Sequence, residues 1–534
     1  MMQDINIGKF TLESLTTGMY FNAMIIFREY IQNATDAIDE AVNCNLLNNK
    51  DEGKINIQLN SKKKSIIIKD NGIGVPTNKA WNILCDIGNS EKHHQNSRGF
   101  RGIGRLGGLS YCQKLYFITS TAGEKVKSII VWDSRQLKNL LKPGRYNEYD
   151  LSRVVTEVAE INYEQEKKSS HYFKVVLENV NENNLDLLNE DKVRDYISQV
   201  APIPFDAQKF YFYSDNQIGI KTKLKNLGKS LEEYMIYIND DPNPQYKTYK
   251  MRVELSKNKT DKITKIEYIK EKSKDGDILF WGWYSIRKSF KGVIHEENVS
   301  GLRIRNGNIL IGDGYTLDEF FTEPRFNRYY IGEIYIYDTS LIPNARRDQF
   351  EKDEAYWKFK ERLEKYTKNK LSKLPRYYSD YNSAQRKINK SEETMNEINE
   401  KIKNGLSSNK EKNQLKEKKE KVKKTLKKNK KKLKKSTKKI KDLGVKPSTN
   451  SDKTLKKAEK IEKVSDEVDD DIDNAEFIIS KELSNLSKKE RKILSEVFEV
   501  IDSEMSQNEA ENLEKKIIQK LKPNSKKISY KKRT

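Results

Sequence analysis

Three clusters of residues in the first 110 positions have the types and spacing that chemistry needs. The first is FREYIQNATDAI, residues 27–38. Glu29, Asn33 and Asp36 stand at i, i+4 and i+7 and fall within about 60° of one another on a helix. An acid, an amide and a second acid on one face could activate a water and hold Mg2+ through an oxygen; an ordinary solvated helix face has the same pattern. The second is IIIKDNGIGV, residues 66–75, in which an apolar β-type run delivers Asp70 at its end. Gly72 and Gly74 then permit tight backbone geometry beside a ligand, and the carboxylate can accept a hydrogen bond from an amino group. Asp-Asn-Gly is also a common turn. The third is RGFRGIGRLGGLS, residues 98–110. Its glycines Gly99, Gly102, Gly104, Gly107 and Gly108 leave backbone N–H groups to surround phosphates, ahead of an expected helix whose N-terminus favours anions.

Two other strings are decoys. Gly102, Gly104 and Gly107 match the dinucleotide pattern G-x-G-x-x-G, but that pattern should follow directly on a strand within a βαβ unit, and here an irregular stretch from Gly72 to Gly99 intervenes. Leu227-Gly228-Lys229-Ser230 resembles the end of a P-loop, yet Lys223 occupies the position of the required glycine. His93 and His94 read as solvated loop residues, and no nucleophile elbow supports a hydrolase triad.

The elements that would position these groups are legible from periodicity. Met19–Val42 has helical spacing. Ile55–Leu59 and Ser65–Lys69 read as a hairpin, and Leu115–Thr119, Ser128–Trp132 and Tyr172–Leu177 as further strands. Residues 206–378 are rich in aromatics, with strand runs at Lys209–Tyr213, Ile278–Ile286 and Tyr329–Tyr337 and a helix expected to begin near Arg347. Beyond 384 the apolar residues change to a seven-residue spacing: Ile388, Met395 and Ile402, then Leu415 and Val422, then Leu426, Leu433 and Ile440. The turn signal at Asn404–Asn409 makes this an antiparallel coiled-coil hairpin; a single long charged helix is the alternative.

Composition narrows the class. The 534 residues include 28 Tyr, 18 Phe and 5 Trp, enough aromatics for real cores, while 34% charged residues require solvated parts as well. No apolar run approaches the ~18 residues of a membrane span. Three cysteines without C-x-x-C spacing argue against zinc ribbons and disulfide scaffolds. These features predict a cytoplasmic protein without membrane contact. The net charge of +23 is concentrated: residues 381–450 hold 24 Lys and Arg against 8 Asp and Glu, with 12 lysines between 421 and 440 alone.

Taken in order, the acid–Asn–Asp-Ala helix, the Asp-x-Gly-x-Gly turn and the glycine-rich loop resemble the ATP-binding (GHKL) superfamily of gyrase, the heat-shock chaperone HtpG, histidine kinases and MutL. The resemblance implies a Bergerat-type α/β sandwich, with Val75–Arg98 as the nucleotide lid. Within that lid, Gly88-Asn89-Ser90-Glu91-Lys92 looks like the Ser-x-Lys stretch of MutL and microrchidia-type members. It further implies that Glu29 is the general base, that Asn33 coordinates Mg2+, and that Asp70 binds the adenine amine. Gly72 and Gly74 would lie at the base; Gly99, Gly102 and Gly104 would cradle the phosphates, with Lys92 a phosphate contact and Asp36 a support on the adenine side. The family's Gly-Thr before the last strand is missing; Tyr172-Phe173 stands there, with Ser170 as a substitute for the threonine. Residues 329–350 resemble the chaperone middle-domain stretch whose arginine reaches the γ-phosphate, which here is Arg347, or alternatively Arg346.

The expected architecture is therefore an α/β ATP-binding domain (1–205), an α/β transducer (206–378), a basic coiled coil (379–443), a linker (444–474) and a small helical C-terminal region with a basic tail (475–534). The resemblance implies a slow, dimeric ATPase using ATP and Mg2+ that works as a conformational clamp. Two readings of what the clamp acts on stay open: DNA or RNA held through the 384–443 lysine-rich arm, or a protein client as for HtpG.

Overall fold

A computed structural model describes residues 8–15, 22–87, 104–144, 146, 148–256, 258–406, 409–445, 447, 451–473, 475, 483 and 486–521. The chain divides into two units, 1–372 and 373–534.

Unit 1 is built on two sheets. Its first part runs α1 (Phe10–Leu15), α2 (Ile25–Asn43), β1 (Lys54–Asn60), β2 (Ser65–Asp70), α3 (Thr77–Cys85), β3 (Lys114–Ser120), β4 (Val126–Asp133), α4 (Ser134–Leu140), α5 (Leu151–Val158), β5 (Ala159–Gln165), β6 (Tyr172–Glu178) and α6 (Glu190–Val200). The short α7 (Ile220–Lys225) and the strand β7 (Met235–Ile238) follow. The strand order is β5-β4-β3-β6-β2-β1-β7, antiparallel except for the parallel pair β1/β7. Alternation fixes which face of the sheet is covered: Ile66, Ile68, Leu115, Phe117, Val175 and Leu177 point one way and join Phe27, Ile31, Ala34 and Ile38 of α2 in one core. The expected hairpin and the three further strands are all present. The sheet also takes β7 from beyond position 205, the boundary the sequence suggested; a four-residue strand, Met-Ile-Tyr-Ile, gave too little alternation to be assigned to the first sheet in advance. Helix α2 begins at Ile25, where the Asn22 side chain accepts a hydrogen bond from the Met24 N–H at 3.0 Å.

The second sheet comprises β8 (Arg252–Ser256), β9 (Lys259–Lys272), β10 (Ile278–Arg287), β11 (Gly301–Asn306), β12 (Ile309–Ile311) and β13 (Ile331–Ile336), in the order β12-β11-β13-β10-β9-β8. An aromatic core of Phe205, Phe210, Phe212, Tyr249, Trp281 and Trp283 packs against it. This cluster explains why Lys209–Tyr213 is not the expected strand. Asp206 accepts from the N–H groups of Gln208 and Lys209, turning the chain, and Tyr211–Tyr213 forms a 3-10 turn that lets Phe210 and Phe212 both face inward. A buried ion group ties the sheet to α6: Glu333 is paired with Lys247 and Arg305, and Arg305 Nη2 donates to the Gln199 carbonyl at 2.7 Å. The helix expected near Arg347 starts later, as α8 (Glu354–Tyr366), because Asp353 caps it by accepting from the Tyr356 N–H.

Unit 2 is helical: α9 (Lys373–Asn404), α10 (Asn409–Asp442), α11 (Ser451–Asp473), α12 (Lys488–Glu504) and α13 (Gln507–Leu521). Helices α9 and α10 fold back on each other as expected of the hairpin, burying Ile388, Met395, Leu415, Val422, Leu426, Leu433 and Ile440. The seam polar residues Asn429 and Ser436 are satisfied within their own helix, donating to the Thr425 and Lys432 carbonyls. The stretch expected to be a linker is corrected: residues 451–473 form α11, which packs on both hairpin helices through Ala458, Ile461, Val468 and Ile472. Its heptad spacing was hidden behind the acidic run Asp469–Asp471 and the preceding Pro447. Two short C-terminal helices are present as expected. Among the described residues no helix is long and apolar enough to cross a membrane.

Candidate functional site

Helix α2 supplies the floor of the site. Glu29 and Asp36 are buried on it and Asn33 is half-buried between them, so the three lie along one face as their spacing requires. Glu29 is bracketed on one side by the glycine loop and on the other by arginines. A Cβ built at Gly104 would lie 2.3 Å from Glu29 Oε2, so any side chain at 104 has to push the carboxylate aside. Arg347 Nε stands 3.7 Å from Glu29 Oε1, and Arg28 Nη2 stands 3.4 Å from the same oxygen. Arg28 also donates to the carbonyls of Arg346, at 2.8 Å, and Arg347, at 3.4 Å, which holds the second sheet's turn against α2. Arg347 has φ 55°, a left-handed backbone that aims its side chain into the site. The side chain of Arg346 lies half-exposed beside Asp348 instead, so of the two arginines it is Arg347 that reaches Glu29.

The loop after the glycines is held by the neighbour of Glu29. Tyr30 Oη donates to the Arg105 carbonyl and accepts from the Gly108 N–H, both at 3.0 Å. Gly104–Ser110 forms a short 3-10 turn in place of the expected helix, and the Gly108 N–H is committed to Tyr30 rather than offered to a phosphate. Sequence reasoning passed over Arg28 and Tyr30. Their signal was position alone, on either side of Glu29, together with the burial of a charged residue that a solvated helix face would not give. Tyr196 of α6, half-buried, lies close enough to feel both Arg28 and Glu29, and loss of solvent around its hydroxyl raises the phenol to about 12.

The other end of the site lies along α2 at Ala37, eight residues or about 12 Å from Glu29. Gly72 packs there: its N–H donates to Asp70 Oδ1 at 2.8 Å, and an added Cβ would fall 2.6 Å from the Ala37 Cβ. Ile73 N–H donates to the Ala37 carbonyl, and Gly74, at φ 73°, would drive a Cβ into the Ser120 carbonyl at 2.0 Å. Both glycines are thus required by close approach. Asp70, Phe173 and Thr119 are in register across β2, β6 and β3, so they share the core face. The Thr119 hydroxyl, at the edge of this row, accepts from the Val75 N–H at 2.8 Å and donates to the Tyr172 carbonyl at 3.1 Å. Phe173 is the side chain level with Asp70, while Ser170 is turned to Glu166 at 3.2 Å and is not at the position of the missing threonine. Cys85, at the end of α3, is buried and its thiol is pushed up to about 12, which makes it unreactive.

The structure therefore brings together Glu29, Asn33, Asp36, Asp70, Gly72, Gly74, Gly104 and Arg347. Lys92, Gly99 and Gly102, the lid beyond position 87, and His93-His94 lie outside the described residues. Among the described residues no group of three or more His, Cys, Asp or Glu could hold a metal ion by itself. An ion at Asn33 would need oxygens from the bound nucleotide, which suits Mg2+. The cradle that a Cβ would fill at Gly104, the buried carboxylate beneath it and the carboxylate at Asp70 fit a magnesium nucleoside triphosphate.

Gly104→Ala provides a direct check of this geometry. Its methyl group has to displace Glu29, and ATP turnover is expected to fall about 10- to 100-fold while the melting temperature stays close to that of the parent protein. Steady-state phosphate release and a thermal melt would measure the two.

Residues 22–166 match the family model described as histidine kinase-, DNA gyrase B- and HSP90-like ATPase. Chaperone protein HtpG of Buchnera aphidicola subsp. Schizaphis graminum is 29% identical over 160 residues, 27% of this chain and 25% of that protein. HtpG of Legionella pneumophila (strain Lens) is 30% identical over 141 residues, 23% of each. HtpG of Wigglesworthia glossinidia brevipalpis aligns over 402 residues at 24% identity, 69% of this chain and 57% of that protein. The chain thus spans about a quarter of the length of the first two of these relatives and a little over half of the third. Residues 22–166 are thus similar to the histidine kinase-, gyrase B- and HSP90-like ATPases of the GHKL superfamily, and the likeness to HtpG supports a chaperone-like relationship.

Proposed function

We propose that this protein is an ATP-dependent conformational clamp: it binds Mg-ATP between α2, the Asp70 turn and the Gly104 loop, hydrolyses it slowly, and pairs with a second copy through the nucleotide domain. The observation that supports this most is the meeting of Glu29, Gly104 and Arg347, from three separate parts of the chain, at one buried point. Asp70 would accept the amino group of adenine and so prefer ATP over GTP. Asn33 would contribute an oxygen to Mg2+, which neutralises phosphate charge when bound. Glu29 takes the proton of the attacking water. Arg347 exchanges Glu29 for the terminal phosphate, which frees the carboxylate to act as base and places a cation where negative charge develops. Because Arg347 sits in the second-sheet part of unit 1, this exchange is what would report the phosphate's presence to that part.

For the clamp's target, we favour a nucleic acid or nucleoprotein. Helix α11 is acidic and covers only one flank of α10, pairing Asp466 with Lys423 and Glu462 with Lys430. Lys424, Lys428, Lys431 and Lys435 stand exposed on another face, with helical spacing and no ion pair among the described residues. A protein client is the second reading, favoured by the HtpG relatives and by the 69% of this chain that aligns with one of them. A gel shift over a salt series, with and without a non-hydrolysable ATP analogue, separates the two. Duplex DNA is expected to bind with steep salt dependence, and replacing the four lysines by alanine should flatten the log–log slope by about 0.9 for each phosphate that is no longer neutralised. Absent or salt-insensitive binding would leave the client reading.

A further inference from the structure

Helix α10 carries its lysines in two rows. With Lys423 as the origin of a helical wheel, Lys416 and Lys430 fall within about 20° of it and Lys419 within about 40°, along one flank of the coiled-coil seam. Lys424, Lys428, Lys431 and Lys435 centre about 110° further round, and Lys427, Lys434 and Lys438, all exposed, lie between the two rows. The lysines of α10 thus make one continuous basic surface, and α11 lies over one edge of it.

The covering helix meets that edge with carboxylates. The two helices run antiparallel, with Lys423 Nζ 2.7 Å from Asp466, and Lys430 Nζ 2.6 Å from Glu462 and 3.5 Å from Glu459. The hydrogen bond from Lys423, with the charge of Lys419 behind it, holds the Asp466 carboxyl below its usual range, and the bond to Glu462 raises the Lys430 ammonium. The sequence of α11 is itself polarised. Its five lysines lie between 453 and 463, where Lys457 pairs with Glu392 of α9, whereas the ten residues 464–473 hold six acids and no lysine. The antiparallel register runs this acidic end of the helix toward Lys419 and Lys416. Ala458, Ile461, Val468 and Ile472 already seat α11 by apolar packing. Partly exposed ion pairs add little to such packing, so the larger effect of these carboxylates is to neutralise the lysines beneath them.

We propose, on the reading of this arm as a nucleic-acid contact, that the Lys416–Lys430 row of α10 is a second surface for duplex DNA and that α11 is its built-in competitor, with Glu459, Glu462 and Asp466 standing where phosphates would. The competition is one a duplex can win. Lys423 and Lys430 are seven residues, about 10.5 Å, apart along α10. A duplex carries one charge per ~1.7 Å of its axis, so along α10 it offers several phosphates for every carboxylate that α11 supplies. With the carboxylates charged, the arm grips DNA by its outer lysines; with them neutralised, it engages both rows.

The test is fluorescence anisotropy of the full-length chain with a labelled duplex of about 30 base pairs, over a salt series. The triple variant Glu459→Gln, Glu462→Gln, Asp466→Asn should bind about tenfold more tightly at about 100 mM salt, with a log–log slope steeper by about 1.8 for the two phosphates newly met by Lys423 and Lys430. A control with the same charge change on the exposed side of α9, Glu393→Gln, Glu397→Gln and Glu400→Gln, should gain less than about threefold and keep the parent slope. Lys423→Gln with Lys430→Gln should leave the parent nearly unchanged yet cancel the gain in the triple variant, a non-additivity that net charge alone does not produce. Circular dichroism should show the same helix content throughout. A parent that binds DNA with no gain in the triple variant, or a gain equalled by the α9 control, would overturn the proposal and leave the nucleic-acid reading standing. Absence of binding by every variant would overturn both.

Discussion

Replacing Glu29 by glutamine is expected to lower ATP turnover about 10²–10⁴-fold while Mg-ATP still binds. The substitution keeps the shape of the side chain under Gly104 and removes its ability to accept a proton. The neighbouring arginines lose a counter-charge but not all their partners, because Arg28 also donates to the Arg346 and Arg347 carbonyls. The effect should therefore fall on kcat rather than on folding. Single-turnover hydrolysis alongside equilibrium binding would measure it, and a variant that hydrolyses at the parent rate would remove Glu29 from the role of base.

Asp70→Asn is expected to weaken ATP binding by about 100-fold or more, a cost of roughly 3 kcal/mol. One oxygen of Asp70 is already used by the Gly72 N–H, and asparagine can keep that bond through its carbonyl oxygen. The amide nitrogen then occupies the place of the second oxygen and presents a donor to the adenine amino group, itself a donor. Two donors facing each other in a buried site leave both unsatisfied. The fold should persist, since the bond that sets the turn is kept and the strand register with Phe173 involves backbone alone. Titration calorimetry with ATP, checked by a thermal melt, separates a binding defect from a folding defect.

Much of this site was legible in the sequence because its parts are local. The α2 face, the β2 strand ending at Asp70 and the glycines after it each lie within a dozen residues, where helical and strand periodicity suffice. The contacts that complete the site are not local. Arg28 reaches a carbonyl 318 positions away, and nothing in the spacing of either segment encodes that meeting. Tyr30 carries no mark in the sequence beyond its place next to Glu29, and only the structure shows its hydroxyl pinning the glycine loop. Helix α11 was hidden for a different reason: its charged composition outweighed a heptad that becomes meaningful only once a hairpin is present to receive it. The adenine-side threonine was sought just before the last strand, where Tyr172-Phe173 stands, whereas the structure levels Phe173 with Asp70 and sets the Thr119 hydroxyl on β3 between the Val75 amide and the Tyr172 carbonyl.

The most direct measurement is calorimetric titration of the hydrolysis-deficient Glu29→Gln variant with Mg-ATP and, separately, with Mg-GTP. One ATP per chain should bind, GTP should bind far more weakly, and adding Asp70→Asn should abolish the ATP heat. No ATP binding in the Glu29→Gln protein, or equal affinity for both nucleotides, would contradict a triphosphate lying between Glu29 and Asp70.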